Sequence, residues 1–218
     1  MMRCDAKWIG AFLNVLPADQ ISPLLNIGSG DRSFREKGQA YIEQDIFAPL
    51  SARGVKIIHS DLGPGDGIDV AGNIIDDADY ARIRALQPKT VLCTHVIEHV
   101  PIDQRDAFTR RLQGLVPKDG FLIVSVPSSY HEHGFDTMFR PTPNDLLALF
   151  SGNHLLAATE LKGETYWPTI ARRPVIVLRH LIRFLAPFAG MRAWKRSMRK
   201  LYWLFNPYKV SVVALRKA

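Results

Sequence analysis

Only two cysteines occur in 218 residues, Cys4 and Cys93. That is too few for a disulfide framework, and Cys93 sits inside the apolar run 91–96, where a thiol is an inert core group. No acid follows Glu164, whereas twelve lysines and arginines do. Residues 1–164 therefore carry 16 basic against 21 acidic side chains, and the net charge of +7 arises entirely in the last quarter of the chain. Such asymmetry points to contact with phosphate, lipid headgroups or nucleic acid, the plain alternative being a solvated basic face. Residues 1–7 include Arg3 and Asp5 and lack the apolar stretch of a secretory signal, which points to the cytosol. No segment supplies the ~20 apolar residues a membrane span needs, since 174–185 is broken by Arg179, His180 and Arg183 and stopped by Pro187. A chain of this length with 47% hydrophobic residues buries one core, so 1–218 reads as a single domain. It contains no internal repeat.

What is present has the rhythm of an α/β protein. Residues 5–16 place Trp8, Ile9, Phe12, Leu13 and Leu16 on one helical face and stop near Pro17. Apolar runs at 24–27 and 55–59 close on Gly28-Ser29-Gly30 and on Ser60-Asp61-Leu62-Gly63, as buried strands ending in loops do. A third strand is expected over 68–75, and stronger ones over 90–95 and 121–126, with a helix at 103–115 between them. Thr142-Pro143-Asn144-Asp145 has the grammar of a helix start, with the helix running to about Phe150. A final strand at 210–215 follows a long cationic segment and is expected to be antiparallel, at or near the sheet edge. Strands alternating with helices imply a doubly wound sheet whose ligand site lies at the carboxyl ends of the strands.

The loop Asn26-Ile27-Gly28-Ser29-Gly30-Asp31 follows an apolar strand, and its glycines let the backbone approach a ligand that a Cβ would repel. A nucleoside cofactor is the natural guest, the alternative being a tight turn without ligand. Ser33 stands where a dinucleotide fingerprint would need its third glycine, which argues against NAD. Asp45, closing Tyr41-Ile42-Glu43-Gln44-Asp45, and Asp61, closing His59-Ser60-Asp61, are the strand-end acids placed to accept hydrogen bonds from a ribose diol. If Asp61 does so, Asn73 reads the adenine amine; if Asp45 does, Asp61 takes the adenine role.

These residues resemble the class I S-adenosylmethionine-dependent methyltransferases. Leu25-Asn26-Ile27-Gly28-Ser29-Gly30 looks like their first motif, with Asn26 replacing the usual acid. The segment from Val91 through Thr94-His95-Val96-Ile97-Glu98-His99-Val100 is similar to their fourth strand, which runs into Leu/Ile-Glu-His-Val. The stretch 117–127 resembles their fifth-strand region. The resemblance covers roughly 20–160 plus the last strand. It implies a Rossmann-like methyltransferase sheet, mostly parallel with an antiparallel last strand, and S-adenosylmethionine held by Asn26, Gly28, Ser29, Gly30, Asp45, Asp61, Asn73 and His95.

Methyl transfer from a sulfonium needs an aligned acceptor and, for a hydroxyl, a group that removes its proton. His131 and His133, just after the fifth strand, are the candidate bases, with Arg140 either holding a carboxylate or phosphate of the acceptor or pairing with Asp136 to brace the loop. His95, Glu98, His99 and His131 could instead converge on a divalent metal, as in metal-using relatives with Glu-x-x-Glu-His after the fourth strand, although Glu98 and His99 can equally serve as packing residues. Residues 172–208 form a basic, amphipathic helical insertion before the last strand: Met191, Trp194, Met198, Leu201 and Phe205 oppose Lys195, Arg196, Arg199 and Lys200. This arm reads as a lid over the site or as a peripheral contact with the inner face of a membrane. The expected activity is O-methylation of a small acidic, glycan or lipid-linked acceptor. The alternatives are a non-catalytic nucleoside-binding module and an RNA-directed methyltransferase, although the arm has no recognised RNA-binding motif.

Overall fold

The structure, a computed structural model, describes residues 1–129, 137–165, 175, 178, 182, 202 and 206–218. The mostly apolar runs form its central strands: β1 (Leu24–Ile27), β4 (Thr90–Thr94) and β5 (Phe121–Ser129). Buried on both faces, they need no polar alternation. β2 (Ile57–Asp61) and the two-residue β3 (Val70–Ala71) extend the sheet on one side, and β6 (His154–Lys162) and β7 (Lys209–Arg216) on the other. The order is β3-β2-β1-β4-β5-β7-β6. Strands β1 to β5 pair in parallel, while β7 lies antiparallel between β5 and β6. The order reverses between β1 and β4, which makes their carboxyl ends the topological switch point.

Helices cover both faces. On one face, α1 (Arg3–Asn14), a π-helical turn (Glu43–Phe47) and α3 (Ala48–Ala52) bury Ile9, Leu13, Ile46, Phe47 and Leu50 against Leu24, Leu92 and Ile123. Ahead of these, α2 (Ala18–Ile21) is a single turn. On the other face, α4 (Asp77–Arg84), α5 (Arg105–Leu115) and α6 (Pro143–Ala148) pack Ile83, Phe108, Leu112 and Leu146 against Val91, Val124 and Val213. Each such side chain, fully buried, contributes about 1.5–3 kcal/mol. The expected grammar at Thr142 holds: its hydroxyl accepts from Asp145 N–H at 3.2 Å, and Asp145 returns a bond to Thr142 N–H at 3.0 Å.

Four expectations change. The third strand shrinks from 68–75 to Val70–Ala71. Residues after β4 form a 3-10 turn (Ile97–His99), and α5 begins at Arg105, two residues after the expected start at 103. The edge strand β6 is an element the sequence reading did not contain. Asp45, read as the end of a strand, lies in the π-helical turn that packs on α1. Its carbonyl oxygen sits 1.9 Å from where a Cβ on Gly10 would be, so glycine at that point of α1 is what allows the two to seat together.

Candidate active site

The carboxyl ends of β3, β2, β1 and β4 carry, in that order, Asn73, Asp61, the Gly28–Gly30 loop and His95. At the loop the chain leaves β1 through two left-handed glycines, Gly28 at φ +70 and Gly30 at φ +61. The N–H groups of Gly28 and Ser29 both donate to the Ser60 carbonyl, at 2.9 and 3.0 Å, which folds the loop over the end of β2. Asp61 completes the tie. Its Oδ2 accepts from Gly30 N–H at 2.6 Å and its Oδ1 from Leu62 N–H at 2.8 Å. Each oxygen keeps a second lone pair, so the half-buried carboxylate remains able to accept hydroxyls. Asn73 is exposed, with its Oδ1 accepting from Ile75 N–H at 3.0 Å.

Asn26 and Ser29 turn inward. Asn26 is buried, and its Nδ2 lies 3.3 Å from His59 Nδ1 across the β1–β2 register. Burial, reinforced by the cations Arg35 and Arg32 and opposed by Asp69, holds the His59 imidazole down at about 4, so at neutral pH the ring is uncharged and in its Nε2–H tautomer can accept from the Asn26 amide. A carboxylate in place of Asn26 would favour the imidazolium instead. Ser29 Oγ donates to the Gly30 carbonyl at 2.9 Å. Arg35, which sequence reasoning passed over, is buried and clamps this region from behind. Its Nη1 donates to the Gly30 carbonyl and its Nη2 to the Gly67 carbonyl at 2.8 Å.

At the end of β4, His95 adopts φ +54, a left-handed conformation uncommon for a residue with a Cβ, and its N–H donates to the Ser125 carbonyl at 2.8 Å. Its ring is held from an unexpected quarter. Asp5, fully buried on α1, places Oδ2 3.1 Å from His95 Nε2 and accepts at the same oxygen from Ser125 Oγ at 2.9 Å. Its Oδ1 accepts from Met2 N–H at 2.8 Å. Burial alone would raise the Asp5 carboxyl; His95, the amino terminus and the Ser125 hydroxyl overrule it, leaving the group below its ordinary range. Asp5 is a functional candidate that the sequence reading treated only as the start of a helix. Its one signal is an acid one turn ahead of Ile9 on the stripe that the helix buries.

The residues considered for a metal come partly together. Buried Glu98 places Oε1 3.7 Å from His95 Nδ1 and 3.9 Å from His99 Nε2. Among the described residues no group of three or more His, Cys, Asp or Glu is arranged to hold a metal ion. His131, the fourth of that set, lies outside the described residues, as do His133 and Asp136. Arg140 is half-buried and donates from Nη1 to the Phe139 carbonyl at 3.0 Å.

No protein-family model matches the chain, and no curated protein matches its sequence. Solved structures do match it. A protein assigned as a sarcosine dimethylglycine methyltransferase from Galdieria sulphuraria superposes with a TM-score of 0.56 at 12% identity, over 98% of this chain and 84% of that one. A SAM-dependent methyltransferase from Archaeoglobus fulgidus gives 0.51 at 12% identity, over 97% and 94%. A DUF574 family protein from Streptomyces avermitilis gives 0.54 at 14% identity, over 99% and 83%. At such identities the likeness is one of fold. The chain has the mostly parallel, seven-stranded fold of class I S-adenosylmethionine-dependent methyltransferases.

Proposed function

We propose that this chain is an S-adenosylmethionine-dependent methyltransferase acting on an oxygen of a small acidic, glycan or lipid-linked acceptor. The observation that carries the reading is the row of Asn73, Asp61, the glycine loop and His95 along four adjacent strand ends. The cofactor, when bound, supplies a methyl group activated on a sulfonium. The chain's residues do the rest. Gly28 and Gly30 keep side chains out of the cofactor's path, Asp61 accepts the two ribose hydroxyls, and Asn73 meets the adenine edge. His131 or His133 takes the acceptor proton, while Asp136 and Arg140 order the loop that presents it. Asp45, held in a helical turn, has no part in this scheme.

Calorimetry with S-adenosylhomocysteine tests the reading without knowledge of the acceptor. Binding is expected with a Kd on the order of 10 µM, weakened about tenfold or more in Asp61→Ala, since a bidentate carboxylate–diol contact is worth roughly 1.4 kcal/mol or above. Absence of binding at millimolar ligand would overturn it.

For the arm, we read a peripheral membrane contact that brings the protein to lipid-linked acceptors. Val175, Leu178 and Ile182 are helical, fall on one face at i, i+3 and i+7, and are exposed to 75, 58 and 57%. They lie in a segment rich in arginine and lysine and free of acids. The stretch 174–185 is interrupted by Arg179, His180 and Arg183 and stopped by Pro187, which suits an interfacial contact rather than a span. Sedimentation with phosphatidylglycerol vesicles is expected to pellet the protein at low salt and less of it at high salt, because each cation contributes about 1 kcal/mol that salt screens. The Val175→Ser/Leu178→Ser/Ile182→Ser variant should lose the salt-resistant part. No pelleting at low salt would leave the arm as a lid.

A further inference from the structure

Arg105 opens α5 and is only 9% exposed. Its Nη2 donates to Thr137 Oγ1 at 2.9 Å and, more weakly, to the Val100 carbonyl at 3.4 Å. The guanidinium carbon stands 4.0 Å from the centre of the Phe139 ring, and buried Nε has no acceptor. Among the described residues no carboxylate pairs with it. The neighbouring Asp106 is exposed and acts on it only through space, while burial pushes the guanidinium below its ordinary value. A cation withdrawn from water without a counter-ion is costly, and a ring face and two neutral acceptors return only part of that cost. Such a group persists where an anion completes it.

Its place in the fold says which anion. Arg105 follows the carboxyl end of β4, and Thr137 and Phe139 follow the carboxyl end of β5, so two loops on the ligand side of the sheet meet at this guanidinium. Thr137 is locked into the junction: its N–H and its hydroxyl both donate to the Glu98 carbonyl at 2.8 Å, while Oγ1 accepts from Arg105. Phe139 offers its ring to the guanidinium. Arg140, the arginine singled out from sequence, instead turns one donor back on the Phe139 carbonyl.

We infer that Arg105 is the anion receptor of the acceptor site, its free donors taking the carboxylate or phosphate of the molecule to be methylated. That the anion belongs to a methyl acceptor rests on the function proposed above; that an anion binds at Arg105 does not. A planar, permanently charged fork suits either oxyanion in a bidentate pose.

The test uses the full-length protein and two probes, inorganic phosphate and succinate, titrated at constant ionic strength and followed by calorimetry and thermal melting. Saturable stabilisation by one or both probes is expected, with affinity at least tenfold lower in Arg105→Met and unchanged in Lys89→Met, a remote surface control. Arg105→Met keeps an apolar stem on Phe139 and deletes the uncompensated charge, so without probe it should melt at or above the wild type. A structural arginine would behave oppositely, with a lower melting point and unaltered probe affinity. Should Arg105→Met fail to fold, Arg105→Lys, which keeps the charge and loses the fork, must still weaken the probe. Equal affinity in wild type and variant, or no saturable binding of either probe to the wild type, overturns the inference. S-adenosylhomocysteine binding is measured in parallel: its absence in the wild type would refute the methyltransferase reading alone.

Discussion

Asp5→Ala is expected to lose about 3–5 kcal/mol of folding stability in urea unfolding, the usual cost of removing one member of a buried charged network. The substitution strips the His95 ring, the Ser125 hydroxyl and the Met2 N–H of a shared acceptor, all in a place where water does not replace it. Asp5→Asn keeps an acceptor without the charge and should fall between. The acid limb of the stability curve supplies an independent reading. Because the folded carboxyl titrates below its ordinary value, its contribution is fully present above about pH 4, the unfolded value, and is lost as pH falls through the folded one. Asp5→Ala should therefore show a flatter loss of stability below pH 4 than the wild type. A cost under about 1 kcal/mol, or identical acid limbs, would mean that the pair does not organise this end of β4.

Asp5 shows why part of the site escaped the sequence. Its partner is 90 residues away, and only the seating of α1 on the sheet brings the two together. The central strands were legible because a strand buried on both faces is mostly apolar without alternation, and 24–27, 90–95 and 121–126 are, interrupted only by Asn26, Thr90, Thr94, His95 and Ser125. β6 was not, because Leu155, Ala157, Ala158, Glu160 and Lys162 are good helix formers and the strand exists through its pairing with β7. The strand reading at Asp45 failed for a related reason: Tyr41-Ile42-Glu43-Gln44-Asp45 has the look of a strand ending in an acid, but Ile42 and the following Ile46 sit four apart, as on a helix, and both join the core cluster that holds α1 and α3.

Asn26 marks a subtler limit. Beside the acid usual in the resembling family it reads as a defect, yet in the fold its amide is committed to a neutral His59 edge-on to Phe47, at 4.9 Å between ring centres. Sequence identity at one position therefore depends on a titratable neighbour one strand away. Asp61 and the glycines were singled out for contact with a ligand, and the fold adds a backbone task to each. The loop turns at positive φ at Gly28 and Gly30, and Asp61 takes the Gly30 N–H while the Ser60 carbonyl takes those of Gly28 and Ser29.

That backbone task sets the sharpest expectation for cofactor binding. Gly28→Ala should weaken S-adenosylhomocysteine on the order of a hundredfold, and two separable causes contribute. The φ of +70 costs an L-residue roughly 1–2 kcal/mol, and the new Cβ would lie 2.3 Å from Val96 Cγ2, forcing apart the exits of β1 and β4 just where His95 is held. Removing the obstacle distinguishes them. In Gly28→Ala/Val96→Ala the clash is gone and only the conformational cost remains, so affinity should recover to within about 5- to 30-fold of the Val96→Ala parent, and the two substitutions should be strongly non-additive. Gly30→Ala provides the contrast: its Cβ would meet Phe34 Cδ1 at 2.7 Å, but that ring is 40% exposed and can swing aside, so its loss should be closer to the conformational part alone. Wild-type affinity in Gly28→Ala, measured by the same calorimetry on a variant that melts normally, would place the cofactor elsewhere than on this loop.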